Sequence, residues 1–310
     1  MSGVVTALAL ALMQAAGPAQ AQDVGAQEPV AQLPEVVVEG RSVEEQADVF
    51  IDEVAAPPRG ATVARWNERV CVGAVGLPET TARYLIDRVS AVAMSVELEP
   101  GEPGCDPTVI IVATLDGGAV AQGLVERRRN VLAPGNAIQS RSRRELAEFA
   151  TVDRPVRWWH ISTAVDPDSG RSVVRRPADD TTNASIEQLI QSAIRGSNSL
   201  ITASTRQHLR RAVIIIDFDE IGDDIDFDQL ADYVAFVALA QVDPEADTSG
   251  FSTILNLFDD PTTPGLTAWD SAYLWGLYNS DDTARGNSGR EAALRREMLR
   301  ARERTAEPPE

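Results

Sequence analysis

"LADYVAFVALAQVDP" (residues 230–244) contains eight consecutive apolar residues, from Tyr233 to Ala240, in a chain whose formal net charge is −19. Asp226 and Gln229, three positions apart, have the pattern of a capping box and predict a helix over about 227–242. Pro244 is expected to end it, because the residue before a proline avoids helical geometry. A helix with no polar face must be enclosed, so we expect it to pack beneath a sheet and to be covered on its other side as well.

The segments around this helix predict alternating strands and helices. Continuous apolar runs indicate buried strands at 108–116 and 210–219. The stretch "RPVRWWHIST" (154–163) alternates apolar and polar residues and predicts a half-buried or edge strand, with a possible hairpin return at 171–177. Helices are predicted over 79–97, near 117–128, over 183–195 and from Thr267, where Asp270 completes a second capping box. These elements indicate an α+β or α/β domain with a mixed sheet layered with helices.

The two ends of the chain differ in composition from its middle. Residues 1–21 are small and apolar, end in Ala19-Gln20-Ala21 and have the pattern of a signal peptide. The alternative, a membrane anchor, requires a longer uninterrupted apolar run. We expect a flexible tether at 22–60, a single globular domain at 61–280 and a charged, Arg-rich tail at 281–310 that forms a solvated helix. The predicted location is periplasmic or secreted, without a transmembrane segment in the mature chain.

The charged residues and cysteines exclude several classes of function. All 28 basic residues are arginine, which excludes lysine Schiff bases and phosphate-loop lysines. The acidic balance argues against nucleic acid as a partner, and no cofactor is expected. Cys71 and Cys105 are predicted to form a disulfide in an oxidising compartment. The alternative, a metal site, could add only His160 and His208 as further nitrogen ligands.

The stretch "DFDEIGDDIDFD" (217–228) follows a predicted strand and partly matches a calcium-binding loop. The possible calcium ligands are Asp217, Asp219, Asp223 and Asp228, with Gly222 at the turn position. Ile221 occupies a ligand position and a strand precedes the loop where a helix is required. The alternative is a solvated acidic loop that leads into a helix N-terminus, where carboxylates are favoured.

Trp158, Trp159 and His160 are consecutive in the predicted strand 154–163. Side chains of adjacent residues in a strand face opposite sides, so one tryptophan is expected in the core and the other exposed or beneath a loop. The three residues are therefore a possible partner contact. His160 could also belong to a Ser-His-Asp arrangement, although the chain has no G-x-S-x-G motif.

A buried strand, an enclosed helix, "SGFSTILNLF" and "LTAWDSAYLWGLY" follow one another in an order that resembles the C-terminal half of metzincin zinc peptidases. The chain also resembles uncharacterised exported bacterial proteins that have this ending without the zinc ligands. In metzincins the helix carries H-E-x-x-H-x-x-G-x-x-H, and Thr253-Ile254-Leu255 resembles the methionine turn. Laid on this chain, the pattern places Tyr233 and Val237 at the helical histidines, Val234 at the glutamate, Ala240 at the glycine and Asp243 at the third ligand.

The resemblance implies a zincin-like fold without the zinc chemistry. Zinc needs at least three nitrogen, sulfur or oxygen ligands, and Tyr233 and Val237 do not replace two imidazoles. The resemblance therefore implies a non-catalytic pseudoenzyme that binds an extended peptide or a protein by strand addition. A buried helix in an unrelated α/β fold is the alternative for the fold. The alternatives for function are a hydrolase built on His160 or the carboxylates of 217–228, and an envelope structural or assembly protein.

Overall fold

The structure is a computed structural model that describes residues 40–57, 61–132, 138–140, 142–165, 206–281 and 286–306. The described strands are β1 (Val72–Val75), β2 (Val109–Thr114), β3 (Ile138–Ser140), β4 (Val156–Val165) and β5 (Arg206–Asp217). The described helices are α1 (Val43–Val54), α2 (Glu79–Ser95), α3 (Gly117–Leu132), α4 (Arg143–Thr151), α5 (Phe227–Leu239), α6 (Ala268–Asn279) and α7 (Gly286–Ala306), with a 3-10 turn at Ile254–Asn256.

The strands form one mixed five-stranded sheet in the order β1-β2-β5-β4-β3. β1, β2 and β5 are parallel, β4 is antiparallel to β5, and β3 is antiparallel to β4. The register aligns Ile111, Ile214 and Trp158 in one row across three neighbouring strands. The chain is therefore α+β, and the predicted mixed sheet layered with helices is confirmed.

Helices cover both faces of this sheet. Ile214 and Ile216 of β5 belong to the core that also contains the buried faces of α1, α2, α5, α6 and α7. Val213 and Ile215 point to the opposite face, where they join a second cluster with α3 and α4. This alternation is the period of two that a strand imposes on its side chains.

The helix α5 is enclosed, as predicted. Every residue from Leu230 to Leu239 is buried. Its start is also as predicted, since the Asp226 N–H donates to Gln229 Oε1 at 2.8 Å. Its end differs from the prediction, because Ala240 is already extended, with φ −116° and ψ 144°, four residues before Pro244. The proline therefore does not end this helix.

Side chains from three distant elements satisfy the last carbonyl groups of α5. His160 Nε2 lies 2.7 Å from the Val237 oxygen, Trp66 Nε1 donates to the Ala238 oxygen at 2.9 Å, and the Tyr278 hydroxyl donates to the Leu239 oxygen at 2.6 Å. Because these carbonyl oxygens can only accept, His160 Nε2 is the protonated nitrogen of its ring. The last carbonyl groups of a helix have no partner within it, so these donors allow α5 to end inside the core.

The capping contact of Tyr278 can be tested with a change of one atom. Burial raises the pKa of Tyr278 above its ordinary value, so the phenol stays protonated and donates. We expect Tyr278→Phe to lower the free energy of unfolding by about 1–3 kcal/mol, because it leaves a buried carbonyl without this donor. Tyr84→Phe removes the exposed hydroxyl that bonds Asp228 and should change it by less than about 0.5 kcal/mol. Urea denaturation measures both, and equal effects would contradict the capping role.

The predicted tether at 22–60 is wrong for its C-terminal part, because α1 is a core helix. Ser42 and Glu45 form a capping box at its start, and its buried face consists of Ala47, Phe50, Ile51 and Val54. Main-chain hydrogen bonds fix its end, since the Asp243 N–H donates to the Val54 oxygen at 2.9 Å. The compact unit of the fold begins at Arg41. The predicted signal peptide and the first part of the tether lie outside the described residues.

The predicted tail at 281–310 contains a helix, α7, but this helix is not solvated all round. Leu294, Met298 and Ala301 are buried in the main core. Gly276 of α6 permits the close approach of α7, since a Cβ at this position would lie 2.8 Å from the Leu294 carbonyl oxygen. The globular domain therefore extends beyond residue 280 as well as before residue 61.

The strand β4 is fully buried, in contrast to the half-buried strand predicted for 154–163, and among the described strands β3 pairs with it only at Ile161–Thr163. All ten of its residues are buried, and it lies between β5 and β3. Its polar residues are accommodated by partners, as when Arg157 donates to the Val152 carbonyl. The predicted hairpin at 171–177 and helix at 183–195 lie outside the described residues.

The predicted disulfide between Cys71 and Cys105 is confirmed. It joins the residue before β1 to the loop before β2, across a sequence separation of 34 residues. Such a bridge stabilises a fold by restricting the unfolded chain. None of the helices described combines the length and the apolar character that crossing a membrane requires.

Candidate functional site

The positions of the zinc-peptidase motif do not gather around one cleft. Val234, Val237 and Ala240 have no exposed surface and belong to the main core. Asp243 is half-buried in the segment after α5, where its Oδ1 accepts the Glu245 N–H at 3.0 Å. Tyr233 alone of the five lines the large cavity described below. Three of the five positions are therefore packed in the core, Asp243 lies outside the cavity lining, and Tyr233 alone reaches the cavity.

A cavity of about 530 Å³ lies between the start of β4, α5 and the segment 244–260, and we call it the β4–α5 cavity. Its apolar and aromatic lining comes from Pro155, Val156, Trp158, Tyr233, Pro244, Ala246, Phe251, Leu255 and Phe258. Its polar and charged lining comes from Arg154, Asp247, Thr248, Ser249, Asn256, Asp259 and Asp260. Its volume falls within the range of small-molecule and side-chain binding sites.

Buried polar contacts hold the segment that forms one wall of the cavity. Asn256 Nδ2 donates to the carbonyl oxygens of Thr248 at 3.0 Å and Phe251 at 2.8 Å. Asp270 of α6 accepts the N–H groups of Ile254 and Thr267 at 2.8 Å each. Burial raises the pKa of Asp270, although these hydrogen bonds act in the opposite direction. The segment is thus tied to α6 and keeps its shape beside the cavity.

Aromatic rings form the floor of the β4–α5 cavity. The Tyr233 and Phe258 rings meet edge to face, with centroids 4.9 Å apart, and the Trp158 ring lies 6.1 Å from Tyr233. The Trp158 indole N–H donates to the Val242 carbonyl at 3.0 Å and so fixes that ring. Such edge-to-face pairs stabilise the floor beyond the area that they bury.

Tyr233 brings a polar atom to this floor. The residue is only 5% exposed, and among the described residues no group hydrogen-bonds to its hydroxyl. Burial raises the pKa of the Tyr233 phenol; the positive charge of Arg154 opposes this rise and the negative charge of Asp259 adds to it. The phenol therefore stays protonated, within the electrostatic reach of both side chains. A hydroxyl that lines a cavity and has no partner among the described residues can donate to or accept from a ligand.

The rim of the cavity is predominantly acidic. Asp247, Asp259 and Asp260 are exposed, and Arg154 is the cation of the lining. Arg154 forms an ion pair with Glu245. Hydrogen bonds from the Ser249 hydroxyl and N–H lower the pKa of Asp247, so this carboxylate stays ionised.

Two of the four proposed calcium ligands, Asp217 and Asp228, have separate structural partners, so the calcium prediction gains no support. Asp217 is buried and accepts the Gly117 N–H at 2.6 Å at the start of α3. Asp228 accepts the Tyr84 hydroxyl of α2 at 2.7 Å, while Asp219 and Asp223 are exposed. Across the described parts of the chain, no three His, Cys, Asp or Glu side chains form a group that could hold a metal ion. The alternative, an acidic loop before a helix, agrees with this arrangement.

Trp158 and Trp159 face opposite sides of the sheet, as predicted, but neither is exposed. Trp158, Trp159 and His160 retain 6%, 2% and 2% of their surface, because helices cover both faces of β4. None of the three therefore forms an exposed surface for a partner, and Trp158 alone of them lines the β4–α5 cavity. His160 is buried and its Nε2 is bonded to the Val237 carbonyl at the end of α5.

Sequence reasoning missed most of the cavity. It identified Tyr233 and Trp158 for other reasons, and did not identify Arg154, Phe258 or Asp259. The usable signal was the pair Phe251 and Phe258 in a polar segment after an enclosed helix. Large apolar rings in such a segment are expected to pack against the core, and both do so here. No family model, curated protein or solved structure matches this chain.

Proposed function

We propose that this protein is a non-catalytic, zincin-like module that binds a peptide or an extended protein segment in the β4–α5 cavity. The observation that carries the proposal is Tyr233, to which the resemblance assigns the first ligand position, and whose hydroxyl lines the cavity without a partner among the described residues. The order of β5, α5, the turn at 254–256 and α6 supports the resemblance. The disulfide is compatible with an oxidising compartment outside the cytoplasm.

The residues around the cavity support binding without cleavage. Zinc requires at least three nitrogen, sulfur or oxygen ligands, and Val237 offers none while Asp243 lies outside the cavity lining. The glutamate that serves metzincins as a base is replaced by Val234, which cannot take up a proton. The described lining contains no Ser-His or Cys-His pair that could act as an activated nucleophile.

The first residues of β4 border the cavity and, among the described residues, have β5 as their one neighbouring strand, which supports an extended ligand. Among the described residues, β3 pairs with Ile161–Thr163 and leaves Val156–Trp158 without a neighbouring strand on that side. In an antiparallel pair, alternate residues point their N–H and C=O groups away from the partner strand, here away from β5. A peptide main chain can use such groups by strand addition while one side chain enters the cavity.

Part of this edge is screened by the segment after α5. Pro244 and Glu245 lie opposite α4 across a smaller cavity of about 20 Å³, which Arg157 and Trp159 also line. The ion pair between Arg154 and Glu245 holds the segment in place. The end of the edge nearest Val156 opens into the β4–α5 cavity, and this is where we place the ligand.

Filling the cavity tests the proposal. Phage-displayed random dodecapeptides are selected on the full chain, and the enriched peptides are synthesised and measured by fluorescence anisotropy. Ser249→Trp places an indole at the rim, where it would obstruct the ligand. We expect it to weaken binding at least about tenfold, which corresponds to a loss of about 1.4 kcal/mol of binding free energy. Ser271→Trp, at an exposed position of α6 outside the cavity, is the matched control and should bind as the parent does.

Two outcomes would contradict the proposed function. One is a selection in which no peptide is enriched, or in which both tryptophan variants bind the recovered peptides equally. The other is turnover: incubation of the recovered peptides with the protein and zinc, followed by mass spectrometry, should return intact peptide. Stoichiometric bound zinc together with cleaved product would show an enzyme in place of a binding module.

A further inference from the structure

The charges and the floor of the β4–α5 cavity together select one kind of side chain. Asp247, Asp259 and Asp260 line the rim against Arg154 alone, whose guanidinium is engaged by Glu245. The Trp158, Tyr233 and Phe258 rings form the floor. Aromatic faces attract cations, and negatively charged walls raise the local concentration of positive groups.

We propose that the β4–α5 cavity binds the side chain of an arginine in the bound peptide. This inference rests on the proposed function and adds the chemical class of the ligand. The guanidinium would lie over the aromatic floor, and its N–H groups would donate to the Tyr233 hydroxyl oxygen and to the Asp259 carboxylate. Of the two polar atoms of the ring floor, the Trp158 indole N–H is engaged by the Val242 carbonyl, whereas no described group hydrogen-bonds to the Tyr233 hydroxyl.

The position of Asp259 in the chain supports this placement. Asp259 follows Phe258 of the ring floor directly and lines the same cavity. No hydrogen bond within the described residues occupies the Asp259 side chain, whereas Asp247 and Asp260 each accept bonds from a hydroxyl two residues on. Asp259 is therefore the carboxylate that is best placed to meet an incoming cation.

Arginine is favoured over lysine by the form of the site. A guanidinium is planar, stacks on aromatic faces and donates several N–H groups in a fixed fork. It is also more weakly hydrated than an ammonium group, so it loses less on entering a cavity with an apolar floor. The volume of about 530 Å³ accommodates a long side chain with part of its main chain.

Three fluorescent peptides distinguish charge from shape. Each has the sequence Ala-Ala-X-Ala-Ala with blocked ends, where X is arginine, its neutral isostere citrulline, or leucine. With the full chain at low ionic strength, we expect the arginine peptide to bind at least about tenfold more tightly than the citrulline peptide. The ratio should fall as salt is added, because the rim carboxylates are exposed. A fourth peptide, with lysine at X, should bind more weakly than the arginine peptide.

Substitutions at the rim locate the effect. Asp259→Asn should reduce the ratio of the affinities for the arginine and citrulline peptides at least about threefold. Tyr233→Phe should weaken the binding of the arginine peptide and leave the binding of the leucine peptide unchanged. Asp52→Asn, at an exposed position of α1, changes the net charge by the same amount and should leave the ratio unaltered. Equal affinity for arginine and citrulline, or equal effects of Asp259→Asn and Asp52→Asn, would overturn the assignment.

The failure of this inference is distinguishable from the failure of the proposed function. If the leucine and citrulline peptides bind as well as the arginine peptide and Ser249→Trp abolishes the binding of all three, the cavity binds peptides without a preference for a cation, and the arginine assignment falls. If none of the three binds and the peptide selection is also empty, both proposals fall.

Discussion

Replacing Phe50 by alanine is expected to lower the free energy of unfolding by about 3–5 kcal/mol, as large-to-small changes in closely packed cores do. Phe50 lies on α1 and has no exposed surface. Its ring contacts those of Phe251, Trp269 and Tyr273, with centroids 5.1, 5.3 and 5.8 Å away. Truncation therefore opens a cavity where three elements of the core meet, and Tyr273 and Trp269 cannot both move to fill it.

Val43→Ala in the same helix is the matched control. Val43 is 47% exposed, so its truncation should change the free energy of unfolding by less than about 0.5 kcal/mol. Urea denaturation followed by tryptophan fluorescence measures both variants. If Phe50→Ala proves as mild as Val43→Ala, α1 does not belong to the core and the segment is the tether that its composition predicted.

The second large effect is expected from Val237→His, which reintroduces a histidine at a helical ligand position. Val237 has no exposed surface, so the larger, polar imidazole would lie unpartnered in the core. Overpacking costs about 1–3 kcal/mol, and burial of an unsatisfied polar group adds about 1–3 kcal/mol. We therefore expect the free energy of unfolding to fall by about 2–6 kcal/mol, with no gain in zinc binding.

Tyr233→His is the comparison that makes this result informative. Tyr233 lines the cavity, so an imidazole there can reach solvent, and we expect a loss of no more than about 1–2 kcal/mol. Stability is measured by urea denaturation and zinc content by mass spectrometry after dialysis. A stable Val237→His variant, or a Tyr233→His/Val237→His/Asp243→His variant that binds one zinc ion per chain, would show that these positions still converge and that core packing has not replaced them.

The parts of the fold that were predictable from sequence are those in which one segment carries its own signal. β2, β5 and α5 are continuous apolar runs, and segments of this kind are buried on both sides between two layers of the fold. Capping residues identified the starts of α5 and α6, because Gln229 and Asp270 act within four residues of their partners. Pairing of the two cysteines needed only their number and an oxidising compartment.

The prediction failed where a segment is polar on average but apolar on one face. Glu44, Glu45, Asp48 and Glu53 gave α1 the composition of a tether, and its buried residues Ala47, Phe50, Ile51 and Val54 are spaced at three- and four-residue intervals. The capping box of Ser42 and Glu45 was a usable signal for this helix. α7 was recognised as a helix, but its arginines concealed the apolar face at Leu294 and Met298.

The candidate site was less predictable than the fold, because it depends on contacts between distant segments. The carboxylates at 217–228 are close in sequence, yet the structure distributes them between the starts of α3 and α5. Tyr233 and Asp259, by contrast, lie 26 positions apart and act on one cavity. Only the packing of α5 against β4 and the path of 244–260 bring them together, and neither follows from local pattern.

The end of α5 has a consequence for the order in which this chain folds. Its three capping donors, Trp66, His160 and Tyr278, are spread over most of the polypeptide. During synthesis, the final turn of α5 thus stays incompletely bonded until Tyr278 has left the ribosome. A nascent chain stopped before α6 should remain sensitive to protease at this turn, and the finished molecule should acquire protection there in a single late step.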